Sequence, residues 1–116
     1  MTAHTLERDG DLPLSFSGEC IGTGGASGRE GRRVVVRIYR TDGGNYLAHV
    51  DRFTVGPQGD LLDQGPRTCS PPTTDPMVML AWLRSDNSYG TLGPASLDAW
   101  RDACEEWGGA AVEVVR

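Results

Sequence analysis

Apolar and polar side chains alternate along two runs that flank an Asp-Gly-Gly-Asn segment, between Arg32 and Val55. A period of two is typical of a strand with one buried face, and glycine between two such runs favours a turn. The pattern therefore predicts a β-hairpin with a loop of three or five residues centred on Gly43. The predicted apolar face holds Val34, Val36, Ile38, Tyr46, Ala48 and Val50, and the predicted polar face holds Arg33, Arg37, Tyr39, His49, Asp51 and Phe53. A two-residue Gly-Gly turn would shift the pairing of the two strands by one residue and would bury His49 and Asp51 without partners, at a cost of a few kcal/mol. We therefore prefer a loop with an odd number of residues.

The pattern is weaker on either side of this hairpin. Residues 1–10 are polar and are expected to form a mobile tail, whereas residues 12–21 alternate loosely and predict a first strand. The glycine-dense stretch 22–31 predicts a flexible loop between that strand and the hairpin. Residues 56–73 are rich in turn-forming residues, with a short strand expected at 61–62.

Two helices are predicted after the turn-rich segment. The first spans residues 74–85, with Asp75 as N-cap and Pro76 at the first helical position. The second spans residues 96–107 and ends before two glycines. Residues 110–115 then predict a short C-terminal strand.

These elements predict an α+β fold: a small antiparallel sheet of three N-terminal strands plus the C-terminal strand, with both helices packed on one face. A chain of 116 residues is long enough for one hydrophobic core, so residues 11–116 are expected to form a single domain.

Four segments of the sequence, FSGECIG, IYRTDGGNYLAHV, LGPASLDAW and the terminal VEVV, resemble small bacterial proteins of the EXLDI type. The resemblance spans most of the chain. It implies a compact α+β domain, and it implies no mechanism because that family has no established activity.

Charge and cysteine content narrow the function classes. All eleven cationic side chains are arginine, and the chain has no lysine. This excludes two lysine-dependent functions: the Walker-type phosphate-binding loop and catalysis through a Schiff base. The net charge of −5 disfavours nucleic-acid binding by the whole surface. Three widely spaced cysteines suit a reducing compartment, and neither a signal peptide nor a membrane-spanning run is evident. We therefore expect a soluble cytoplasmic protein.

Arginine is concentrated in the hairpin region. Six arginines and three acidic residues lie between Arg29 and Arg52, a balance of +3, which leaves −8 for the rest of the chain. Such a face could bind an acidic partner, could stack nucleic-acid bases, or could be a solvated face with cross-strand ion pairs. The candidate binding residues are Arg33, Arg37, Tyr39, His49, Arg52 and Trp107.

Catalytic and metal signatures are weak. His49 would need a thiol or hydroxyl within hydrogen-bond reach to act as a base, with Cys20, Cys69 or Ser70 as conceivable nucleophiles. Histidines and cysteines lack metal-ligand spacing, and no cofactor is expected. The leading hypothesis is a non-catalytic module that binds another protein. The alternative is a binder of nucleic acid or a phosphorylated ligand that uses the same face and the Gly-rich loop.

Overall fold

The computed structural model describes residues 2–87 and 90–107, which form five strands, one 3-10 turn at Arg29–Gly31 and two helices. The strands are β1 (Thr2–Leu6), β2 (Leu14–Ser27), β3 (Arg32–Thr41), β4 (Tyr46–Val55) and β5 (Leu61–Cys69), and the helices are α1 (Pro76–Asp86) and α2 (Pro94–Trp107).

The sheet is an antiparallel meander of five strands in the order β1-β2-β3-β4-β5. The predicted arrangement of three N-terminal strands plus a C-terminal strand is therefore wrong. The first strand lies within residues 1–10, so the mobile tail expected there is wrong for Thr2–Leu6, which pairs with β2. The last strand, β5, occupies half of the turn-rich segment 56–73 and extends the short strand expected at 61–62 as far as Cys69. The predicted strand at 110–115 lies outside the described residues.

The hairpin of β3 and β4 has the predicted register. Val36 pairs with Val50 and Ile38 with Ala48, and all four side chains are buried against the helices. The loop is centred on Gly43, as predicted, and the amide of Thr41 donates to the carbonyl of Asn45 at 2.8 Å. The hydrophobic alternation therefore identified the buried face correctly.

Residues 22–27 of the glycine-dense segment belong to strand β2, which corrects the predicted loop for that part, and the segment ends in the 3-10 turn at Arg29–Gly31. Gly22 and Gly24 lie on the helix side of β2, directly beneath α2. A Cβ on Gly24 would lie 2.0 Å from the carbonyl oxygen of Ala95, and a Cβ on Gly22 would lie 2.3 Å from that of Ala99. These glycines allow α2 to approach the sheet more closely than any side chain would permit.

Both helices pack on the same face of the sheet. The Asp75 side chain accepts a hydrogen bond from the Met77 amide at 2.9 Å, so the predicted cap of α1 is confirmed. The core residues of the two helices are Met79, Leu80, Leu83, Ala95, Ala99, Trp100, Ala103 and Cys104. Within the described residues, neither helix is long and apolar enough to cross a membrane.

Candidate functional site

The face of the sheet opposite the helices, called the second face, is covered at one end by the N-terminal segment. There a second apolar cluster forms from Leu6, Leu14, Phe16, Tyr39, Leu47 and Cys69. His4 adds a ring to this cluster, with its centroid 5.3 Å from that of Phe16 and 4.9 Å from that of Tyr39. The first strand thus provides a lid of side chains over one end of the second face.

The segment that follows β1 crosses this face to the opposite edge strand. A ring nitrogen of His49 lies 2.8 Å from the carbonyl oxygen of Glu7. The amide of Asp9 donates to the carbonyl of Arg67 at 3.0 Å, and the Asp9 carboxylate accepts from the Arg67 amide at 2.8 Å. This backbone hydrogen bond from Arg67 lowers the pKa of Asp9. The covering segment is therefore tied to both β4 and β5.

This covering corrects two of the predicted binding residues. Tyr39 and His49 were expected on an exposed polar face, but their residues are only 5% and 6% exposed. Desolvation raises the pKa of Tyr39, as expected for a phenol inside an apolar cluster. Both side chains hold the N-terminal segment in place and are not available to a partner.

The uncovered part of the second face, which we call the open face, lies beyond the N-terminal segment. It consists of Thr23, Gly25, Arg33, Val35, Arg37, Asp51 and Phe53. Val35 and Phe53 are half-buried hydrophobic side chains, and Arg33 and Arg37 lie on either side of Val35 along β3. Their spacing of four residues places the two arginines about 13 Å apart.

The arginines of the open face make no ion pair with any described residue. Asp51 lies opposite Val35 and diagonally next to both arginines, but its carboxylate instead accepts from the amide of Gln64 at 2.7 Å. Arg33 donates to the backbone carbonyl of Arg32 at 3.0 Å. The cross-strand ion pairs expected for a merely solvated face are therefore not formed between these groups.

The remaining predicted binding residues lie elsewhere. Arg52 belongs to the opposite parity of β4 and points to the helix side, where it donates to the Asp86 carboxylate at 2.5 Å. Grouping Arg52 with Arg33 and Arg37 was therefore wrong. Trp107 is the last residue of α2, and its role as an interface anchor stays a prediction.

The residues next to His49 are poorly suited to act as the nucleophile of a hydrolase. Its cross-strand neighbour is Cys69, whose pKa burial raises to about 11, so that this thiol is a poor nucleophile at neutral pH. The Ser70 hydroxyl accepts a hydrogen bond from the Ala48 amide at 2.8 Å. Each of these groups has a structural contact that accounts for its position.

Sequence reasoning missed the division of the second face. The alternation of side chains between the two faces of a strand correctly assigned Arg33, Arg37, Tyr39 and His49 to one face. The prediction that this whole face is exposed is wrong for Tyr39 and His49, which are buried. Val35 shares this parity and was not recognised as part of the site. The signal was its position between two arginines in an otherwise alternating strand.

A scan against protein-family models, a search of curated proteins and a search of solved structures each find no match. The resemblance to EXLDI-type proteins therefore stays a prediction.

Proposed function

We propose that this protein is a non-catalytic binding module, of an accessory, regulatory or inhibitor type, that uses the open face to bind an acidic segment of another protein. The observation that carries the proposal is the state of Arg33 and Arg37. Both lie on the open face without an ion-pair partner among the described residues, although the chain has an excess of acidic groups. Their guanidinium groups can therefore form bidentate hydrogen bonds to carboxylates of a partner.

The apolar part of the open face supports a protein partner. Val35 and Phe53 are half-buried and are flanked by the arginines, and this combination of an apolar centre with a charged rim is common in protein interfaces. A purely electrostatic contact with phosphates would not need these side chains.

Nucleic acid or a phosphorylated ligand is the second candidate, and the fold weakens one of its two supports, the Gly-rich loop. Gly22 to Ser27 form a paired strand, so only residues 28–31 of the Gly-rich stretch remain outside the sheet. The net charge of −5 also repels a phosphate backbone. The arginines, together with the partly exposed ring of Phe53 on which a base could stack, remain as arguments for this class.

The experiment is affinity capture from the native host with two matched double variants. The test variant is R33S/R37S, and the control is R32S/R101S, which removes two exposed arginines that lie off the open face. Both variants change the net charge by the same amount, so a difference between them reports position. Captures with and without nuclease, followed by mass spectrometry, separate protein from nucleic-acid partners.

We expect a stoichiometric protein that wild type and R32S/R101S retain, that R33S/R37S loses, and that survives nuclease. A partner retained equally by R33S/R37S would overturn the proposed surface. Loss of the captured material with nuclease would instead favour the nucleic-acid class. Arg52 is left intact in both variants because its removal would leave the half-buried Asp86 without its cation.

A further inference from the structure

A cleft of about 710 Å³ opens on the helix side of the sheet, away from the open face. It lies beside the end of α1 and the start of α2, and its lining includes residues of β2, β3, β4 and β5. Most of its lining is apolar, from Ala26, Val34, Val50, Pro66, Leu83, Pro94 and Ala95. Its volume lies within the range of about 300–1,000 Å³ that is typical of small-molecule sites.

Among residues 2–87 and 90–107, the core is left unfilled at this cleft. Along β3, Val36 and Ile38 are fully buried beneath the helices, whereas Val34 is partly exposed on the same face. The neighbouring positions carry the small residues Ala26 and Ala95, which leave room above Val34. A ligand with an apolar body would complete the core at this end of the sheet.

A built polar group lies at one side of the cleft. Arg52 donates through one terminal nitrogen to Asp86 at 2.5 Å, and the Thr68 hydroxyl donates to the other oxygen of the same carboxylate at 3.3 Å. Each carboxylate oxygen of Asp86 therefore accepts one hydrogen bond, and these bonds fix the carboxylate at the side of the cleft. Arg52 has five N–H donors, and the others have no acceptor among the described residues.

We infer that this cleft binds an apolar small molecule that ends in a carboxylate, with the carboxylate on Arg52 and the apolar body over Val34 and Val50. The guanidinium group matches a carboxylate in planar, bidentate geometry, which a neutral hydroxyl cannot use. The inference is independent of the proposed function, because the cleft and the open face lie on opposite sides of the sheet.

The test uses octanoate and octan-1-ol, which share an apolar body and differ in the head group. Each is titrated into the full-length protein and followed by two-dimensional NMR. Ala26→Leu places a larger side chain in the cleft two strands away from Arg52, and Ala81→Leu makes the same change at an exposed position of α1 outside the cleft. Thermal unfolding of both variants shows whether each is folded.

We expect saturable binding of octanoate with shifts centred on the cleft residues, at least tenfold tighter than that of octan-1-ol. Ala26→Leu should weaken it at least tenfold, and Ala81→Leu should leave it unchanged. Equal affinity for the two probes would refute the role of Arg52. An absence of saturable octanoate binding, or unchanged binding to a folded Ala26→Leu protein, would refute the site.

Discussion

Replacement of Gly24 with alanine tests the close packing between β2 and α2. The added Cβ would lie 2.0 Å from the carbonyl oxygen of Ala95 and 2.7 Å from the amide nitrogen of Ala99. Both atoms belong to the backbone of α2 and cannot rotate away, so the helix would have to retreat by about 1 Å, which opens gaps in a close-packed core. Overpacking of a core typically costs about 1–3 kcal/mol, and we expect about 3 kcal/mol here because backbone is displaced.

Gly25 supplies the matched control on the same strand. Its Cβ would point to the open face, and the nearest atom, the carbonyl oxygen of Val34, lies 3.8 Å away. Gly25→Ala should therefore change stability by less than about 0.5 kcal/mol or raise it slightly, because alanine reduces the entropy of the unfolded chain.

The assay is chemical and thermal unfolding of both variants followed by circular dichroism. A loss of 3 kcal/mol corresponds to a fall in Tm of about 12 °C for a chain of this size. Equal midpoints for Gly24→Ala and Gly25→Ala would refute the packing of α2 on β2. A larger loss of stability in Gly25→Ala than in Gly24→Ala would show that the two faces of β2 are reversed.

Two further outcomes follow from buried polar groups. His4→Phe should raise stability by about 1 kcal/mol, measured by chemical unfolding, because the Nε2 atom of His4 is buried without a hydrogen-bond partner among the described residues; a lower midpoint would contradict this. Iodoacetamide at pH 8 should alkylate the exposed Cys20 well before Cys69, whose raised pKa of about 11 leaves little thiolate until the pH approaches that value. Equal labelling rates of the folded protein, measured by mass spectrometry of peptides, would contradict the burial of Cys69.

The central hairpin and the first helix could be predicted because each is specified locally. Only one pairing of β3 with β4 places the apolar side chains of both strands on the face that packs against the core, and the structure has that register. The cap at Asp75 and the proline after it define the start of α1 without reference to the rest of the fold.

The other strands depend on tertiary contacts that the sequence does not show. The glycines of β2 signal a loop by propensity, but Gly22 and Gly24 are required by the approach of α2, which is distant in sequence. Residues 61–69 contain aspartate, glycine and proline, which are poor strand formers, and they pair as an edge strand nevertheless.

The residues of the open face could be predicted only in part, because contacts distant in sequence decide which positions are covered. Arg33 and Arg37 follow from the parity of β3, since outward positions of a strand can be read from its alternation. Burial of Tyr39 and His49 arises from Leu6 and the backbone of Glu7, in a segment whose polar composition does not indicate packing. The alternation along a strand therefore predicts which residues share a face, but it does not predict which of them another segment of the chain covers.

The most direct test of the proposed function is the affinity of the captured partner for three purified proteins: wild type, R33S/R37S and R32S/R101S. Loss of two charge-assisted contacts at an interface should cost at least about 1.4 kcal/mol, so we predict a Kd at least tenfold weaker for R33S/R37S. The control R32S/R101S should bind within about twofold of wild type, since its arginines lie off the open face. Equal weakening of both variants would show that net charge, rather than the open face, governs binding, and it would contradict the account.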